Sequence, residues 1–432
     1  MAPRTPAVTA IAGPHAASTT VPSRSLFSRS FGLAVALFMV GLCAADEQSS
    51  VQRGQYLVQA ANCISCHTTK DGKPFAGGNA FETTYGFLGK IYSSNITPDP
   101  ETGLGAWTED DFIKAMRHGI APGGKYLFPA FPYTAFTRLS TPDLKAIYAY
   151  LRTVPAVRST APQASFWFRQ RWVMAVWNWL FFKPGEAAAD PSQSDEWNRG
   201  SYLVEALGHC SACHTPRNFM FAERTEQHLT GGVEVAEVEA GKNRNWSAPN
   251  LTSAKSGLAQ WSLDDLKKYL KTGYSRRAGI LGPMNEVVAN SVRFLTDSDI
   301  GAMATYIKSL PAKSESRQQT LTAGEHDAGQ DLYDKYCDEC HLSSGRGGLR
   351  KAPSVAASAV VQTENAASVI NVILYGASAA PGTSASSDAW DDMPGFKNKM
   401  TDAQMSALIN FLRSNWGNRG GRVSPAAIAG QR

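Results

Sequence analysis

Six cysteines come in three pairs, each followed directly by a histidine: Cys63-Ile64-Ser65-Cys66-His67, Cys210-Ser211-Ala212-Cys213-His214 and Cys337-Asp338-Glu339-Cys340-His341. This is the C-x-x-C-H spacing that attaches haem c. Two thiols three positions apart can reach both vinyl groups on one porphyrin edge, and the next residue turns its imidazole toward the iron. The seventh cysteine, Cys43, falls in the presequence, so no mature cysteine is left over.

Rival chemistries fit less well. A four-cysteine zinc site would have to join pairs far apart in the chain and would leave one pair unused. Structural disulfides suit an exported protein but give no reason for a histidine after every second cysteine. A thioredoxin-like pair needs a βαβ context that the sequence lacks.

A haem iron held by His and Met has a raised potential and no open position, which suits electron transfer. Each motif therefore calls for a methionine between it and the end of its segment. Met284 stands in Gly282-Pro283-Met284, eleven residues before Leu295, and Met393 in Asp392-Met393-Pro394, seven before Met400. The first segment departs from this. Its loop reads Tyr126-Leu127-Phe128-Pro129-Ala130-Phe131-Pro132-Tyr133, and Phe131 cannot ligate iron. Met116 and His118, on an expected helix Glu109–Gly119, read as structural, and Met174 lies in a linker. The first haem is expected to have an open or unusual sixth position and a lower potential than the other two.

The elements that hold these residues repeat three times. Arg53-Gly54-Gln55-Tyr56-Leu57-Val58, Arg199-Gly200-Ser201-Tyr202-Leu203-Val204 and Gly329-Gln330-Asp331-Leu332-Tyr333 precede the three motifs. Each reads as an amphipathic helix with a glycine where another helix can approach closely. Each repeat closes on a second helix: Leu139–Leu151, Leu295–Ile307 and Met400–Leu412. In these, Ser or Thr at the second position is the expected N-cap, with an acid or amide three residues on. Tyr150, Tyr306 or Phe411 near the end is the expected partner of the glycine-bearing helix. Ser94-Asn95-Ile96-Thr97 with Trp107 echoes Pro249-Asn250-Leu251-Thr252 with Trp261; these read either as haem-edge loops or as ordinary Asx turns beside core tryptophans. The expected fold is mostly α: three tandem class I cytochrome c domains, each enclosing one covalently bound haem c.

The chain has 432 residues, 43% hydrophobic and 18% charged, a size natural for three domains with real cores. Its net charge of +5 includes Arg4, Arg24 and Arg29; setting these aside leaves 39 basic against 37 acidic residues. No basic run or aromatic-studded basic face points to nucleic acid. Residues 1–45 read as a signal peptide. The uncharged run Phe31–Ala45 is too short to span a bilayer, and Cys43-Ala44-Ala45 resembles a cleavage site. A retained anchor is the other reading; a lipoprotein is disfavoured by Leu42. The expected divisions are 46–160, an aromatic linker 161–194, 195–313, 314–417 and a flexible Gly/Pro/Ala-rich tail 418–432.

The sequence resembles the three-haem cytochrome c subunit of bacterial membrane-bound dehydrogenases, which serves alcohol, aldehyde, gluconate, sorbitol and fructose dehydrogenases. The resemblance covers nearly the whole mature chain. It is carried by Asn95-Ile96-Thr97-Pro98-Asp99-Pro100-Glu101-Thr102-Gly103, by Trp197-Asn198-Arg199-Gly200 through Cys213-His214-Thr215-Pro216-Arg217-Asn218, and by Gly282-Pro283-Met284. It implies a periplasmic electron-transfer subunit, not itself catalytic. Its partner would be a catalytic dehydrogenase subunit with a flavin, quinone or molybdenum cofactor, and its acceptor ubiquinone or a terminal oxidase. Family members with a PAMPY loop ligate the first haem through that methionine, which is Phe131 here. They are held at the membrane surface, often by a hydrophobic C-terminal segment that this tail does not offer. Trp172–Phe182 is the remaining candidate, as an interfacial helix, a quinone-side contact or an inter-domain packing segment. Two other functions stay open: an open first haem doing peroxide or sulfur-compound chemistry, and a free-standing soluble carrier.

Overall fold

Helices account for most of the ordered secondary structure in the computed structural model. It describes residues 48–82, 88–239, 242–313, 319–348, 351–378 and 390–432. The signal-peptide expectation for 1–45 lies outside these. Residues Ser50–Arg432 form one compact unit.

Each repeat is built around a crossing of two helices. The helix over residues 48–60 meets Thr141–Leu151, Asp195–Ser201 meets Asp297–Ser309, and Ala323–Tyr336 meets Asp402–Ser414. The glycines make these approaches possible. A Cβ on Gly54 or Gly200 would run into the carbonyl of Ala146 or Ala302, and one on Gly329 into Phe411. Next to them stand Tyr150, Tyr306 and Phe411, the aromatics expected there. Ser140, Thr296 and Thr401 cap the closing helices, their side chains accepting from the backbone N–H three residues on.

Antiparallel hairpins follow the first two motifs. Ala80–Glu82 pairs with Lys90–Tyr92, and the longer Gly232–Glu239 with Lys242–Ala248, in register Gly232↔Ala248. The second is also a joint. Ser247 and Ser368 exchange three hydrogen bonds of 2.9–3.0 Å, and Asn371 donates to the Asn245 carbonyl at 2.8 Å. The helix Ala367–Tyr375 of the third repeat is docked there.

The first two repeats are not separate bodies. Leu57, Val58 and Phe112 belong to the same buried core as Leu203, Leu207 and Ile300, whereas Tyr333, Ile370 and Phe411 belong to another. The shared core is bordered by a reciprocal polar exchange. Arg53 binds Asp143 and Arg199 binds Asp299, each within its own repeat. Tyr202 then donates across to Asp143, and Tyr56 across to Asp299, both at 2.6 Å. The same hydroxyls accept from the N-cap amides of Ser140 (3.0 Å) and Thr296 (3.2 Å). The pair is thus related by an approximate twofold arrangement.

The tail corrects an expectation. Residues 418–432 are folded onto the third core: Pro425–Ala429 is helical, and Asn418, Val423 and Ile428 are buried. The backbone of Val423 exchanges hydrogen bonds with the buried Asn410 side chain, and Arg422 grips Glu325 with two bonds, at 2.6 and 2.9 Å. Gly/Pro/Ala composition suggested disorder, but small residues here allow close packing, Gly420 lying against Arg413.

Candidate haem sites

Each motif folds into a short helical turn: Cys63–His67, Ser211–His214 after Cys210, and Asp338–His341 after Cys337. One turn places both cysteines on the same side and brings the histidine round to follow them. All six thiols are free. Burial pushes Cys63, Cys210 and Cys337 up to about 12, the neighbouring Cys66 adding to this at Cys63. Burial thus acts opposite to the low-pKa setting of a thioredoxin-type nucleophile.

The three histidines are held alike. The Nδ1 of His67 lies 2.6 Å from the Ser94 carbonyl, that of His214 2.8 Å from Pro249, and that of His341 3.0 Å from Pro353. A carbonyl can only accept, so Nδ1 carries the proton and Nε2 keeps its lone pair, the tautomer and orientation a metal ligand needs. Burial lowers the pKa of all three imidazoles, keeping them neutral. Two free thiols followed by one pre-oriented imidazole form the donor set that a covalently attached haem requires.

In the first two repeats the carbonyls that hold the imidazoles are themselves placed by side chains. Asn95 Oδ1 accepts from Thr97 N and Oγ1 at 2.9 and 2.8 Å, and Asn250 accepts likewise from Thr252 at 2.8 and 2.7 Å. The Nδ2 groups reach the Val157 and Lys313 carbonyls at 2.6 and 2.9 Å, tying each loop to the strand of chain beyond its closing helix. These are Asx turns, and their task is to present the preceding carbonyl to the axial histidine.

A second clamp escapes sequence reading. Gly77, Gly231 and Gly347 donate their N–H to the backbone carbonyls of His67, His214 and His341, at 2.8, 2.8 and 2.9 Å. All three have φ between 72° and 106°, and a Cβ would strike the segment that carries the Nδ1 acceptor or leads into it. They stand ten, seventeen and six residues after their histidines, and that variable spacing conceals the equivalence.

Met284 opens the helix Met284–Asn290 and packs, half-buried, against the core shared by the first two repeats. Met393 packs on the core with Cys337, its backbone paired with Ala377 at 2.8 and 3.0 Å. Phe131 packs against the same shared core, its ring 5.6 Å from Phe136 and 6.4 Å from Tyr133. Met116 is buried in that core, while His118 is exposed.

The linker helix Val173–Phe181 has two faces. Met174 and Trp177 are buried against Tyr133 and Ala222, and Trp177 Nε1 donates to the Met220 carbonyl at 2.8 Å. Trp172 and Trp179 stand outward, 69% and 82% exposed, beside Val176 and Leu180. No helix among the described residues is long and apolar enough to cross a membrane.

Comparison with known proteins agrees with this geometry. The cytochrome c family model matches residues 51–155 and 326–416. The cytochrome c subunit of the quinone-type alcohol dehydrogenase of Gluconobacter oxydans is 38% identical over 91% of this chain and 85% of its own length. The fructose dehydrogenase cytochrome subunit of Gluconobacter japonicus is 36% identical, over 89% and 83%. The gluconate 2-dehydrogenase cytochrome c subunit of Pantoea cypripedii is 36% identical, over 87% and 88%. The chain belongs to the family of c-type cytochrome subunits of bacterial dehydrogenases.

Proposed function

We propose that this chain carries three haems c and passes electrons from a catalytic dehydrogenase subunit to ubiquinone or a terminal oxidase, on the periplasmic face of the inner membrane. The observation that carries the count is the threefold recurrence of one geometry: two free thiols, then an imidazole whose Nδ1 is tied to a backbone carbonyl. Cys63, Cys66, Cys210, Cys213, Cys337 and Cys340 would form the thioether links, with His67, His214 and His341 as axial ligands. Segments 46–160, 195–313 and 314–417 are the corresponding haem domains. A bound haem c supplies reversible one-electron exchange at iron, and Met284 and Met393 would raise the potential and close the iron of the second and third.

The catalytic partner, with a flavin, quinone or molybdenum cofactor, is proposed from the relatives' names as cytochrome subunits of dehydrogenases. Peripheral membrane attachment is proposed through the linker. From Phe166 to Gly185 the chain carries Arg169, Arg171 and Lys183 and no acid, and it exposes tryptophan, as interfacial helices do.

The test is isolation of the native chain from membranes. A catalytic subunit should accompany it, that subunit's substrate should reduce its haem, and the chain mass should include three haems. A chain that purifies alone and stays oxidised with every dehydrogenase encoded beside it would rule out the subunit role.

A further inference from the structure

The first and second repeats match closely enough to compare residue by residue. Glu109–His118 and Leu263–Thr272 are both ten-residue helices opened by a capping box, Thr108 with Asp111 and Ser262 with Asp265. Both end on a left-handed glycine, Gly119 at φ 66° and Gly273 at φ 81°. The carbonyl of each glycine then accepts from the returning loop, from Leu127 N at 2.7 Å and from Ile280 N at 2.9 Å.

In this frame Met116 occupies the position of Leu270, and both are buried core side chains. Met116 is therefore apolar filling, and the exposed His118 matches the half-buried Thr272 at the helix end. The loop that delivers Met284 in the second repeat delivers Phe131 in the first. The remaining candidates are engaged elsewhere. Met174 belongs to the cluster of Tyr133, Trp177 and Ala222, which Phe131 touches but Cys63 does not join. His209 has its Nε2 directed at the Ala61 carbonyl, 3.4 Å away, and its ring edge-on to Phe136.

We infer that no side chain among the described residues closes the first haem: Phe131 presents a hydrocarbon surface where the other two sites present a thioether, so that site admits a small neutral diatomic ligand. The inference rests on the haem reading above. Carbon monoxide is the probe. It donates its carbon lone pair to ferrous iron, so no electron is transferred and no group is lost from the protein. An apolar aromatic wall favours such a ligand over a charged one, because an ion would give up its hydration without gaining a partner.

The experiment uses the full chain with its haems attached, reduced with dithionite. One carbon monoxide should bind per three haems, and the oxidised protein should show two thioether–iron charge-transfer bands per chain. Phe131→Met should lower uptake at least tenfold and add a third such band. Met116→Leu and Met174→Leu should change neither quantity. A three-haem protein that takes up no carbon monoxide would overturn the inference, as would loss of a thioether band in either leucine variant. Haem count on the same sample separates the two levels: a chain without haem at Cys63 and Cys66 defeats the underlying haem reading instead.

Discussion

Gly347 sits at φ 74° with its N–H on the His341 carbonyl, so a methyl group there faces two penalties at once. The left-handed backbone alone costs an alanine about 1–2 kcal/mol, and its Cβ would meet the carbonyl of Ala352 and the backbone of Pro353. Pro353 holds His341 Nδ1, so Gly347→Ala should loosen the imidazole itself. We expect the third haem to be lost or its potential shifted while the other two titrate normally, measured by chain mass and redox titration. The C-x-x-C-H candidates stand out in the sequence because covalent attachment would demand a fixed local spacing. The glycine clamps were not, since their partners are set by loop geometry at three different separations. Phe131 stands out in the sequence as the residue where a ligand is expected, and Met116 reads there as structural; its match to Leu270 gives that reading a place in the fold.

At the scale of elements, the closing helices show how much a local signal can hold. Ser140, Thr296 and Thr401 are N-caps as their spacing predicts, but only Gln404 completes a capping box. Asp143 and Asp299 occupy the same position and are drawn instead to arginine and tyrosine, while the tyrosine hydroxyls take the N-cap amides. That exchange joins two repeats and has no local signature. Hydrogen bonds to a charged partner are worth about 1.5–3 kcal/mol, so Tyr56→Phe and Tyr202→Phe should each destabilise the paired repeats by that order, read by denaturant unfolding, and leave the third repeat unchanged. Burial alone would raise the Asp299 pKa, but the bonds from Arg199 and Tyr56 outweigh it and hold the carboxyl below its ordinary value. Its stabilisation is therefore complete above the unfolded-state pKa of about 3.9 and is lost as pH falls toward the lower folded value. Acid unfolding of the pair should begin below about pH 4, and Tyr56→Phe should raise that threshold. The long hairpin has no counterpart in the sequence reading although Val233 and Val235 alternate with Glu234, because the period-two signal is short.

For the whole molecule, the last fifteen residues act as a clasp on the third core. Ile428 is fully buried, and Ile428→Ala should cost about 2–5 kcal/mol, visible as earlier unfolding of the third repeat alone. Composition hid this, because buried Asn410 and Arg413 recruit the backbone of the tail rather than its side chains. The linker helix makes a separate prediction. Trp172→Ser with Trp179→Ser should abolish sedimentation of the haem-loaded chain with vesicles containing phosphatidylglycerol, without changing its haem spectra; unchanged sedimentation would place the membrane contact elsewhere. The near-twofold pairing of the first two repeats carries a further meaning. Two equivalent halves facing each other have no built-in forward direction: whatever crosses the seam from left to right can return by the same route. With haem in both, the difference between Phe131 and Met284 would be an asymmetry that tilts the seam, one loop residue giving a symmetrical joint its gradient.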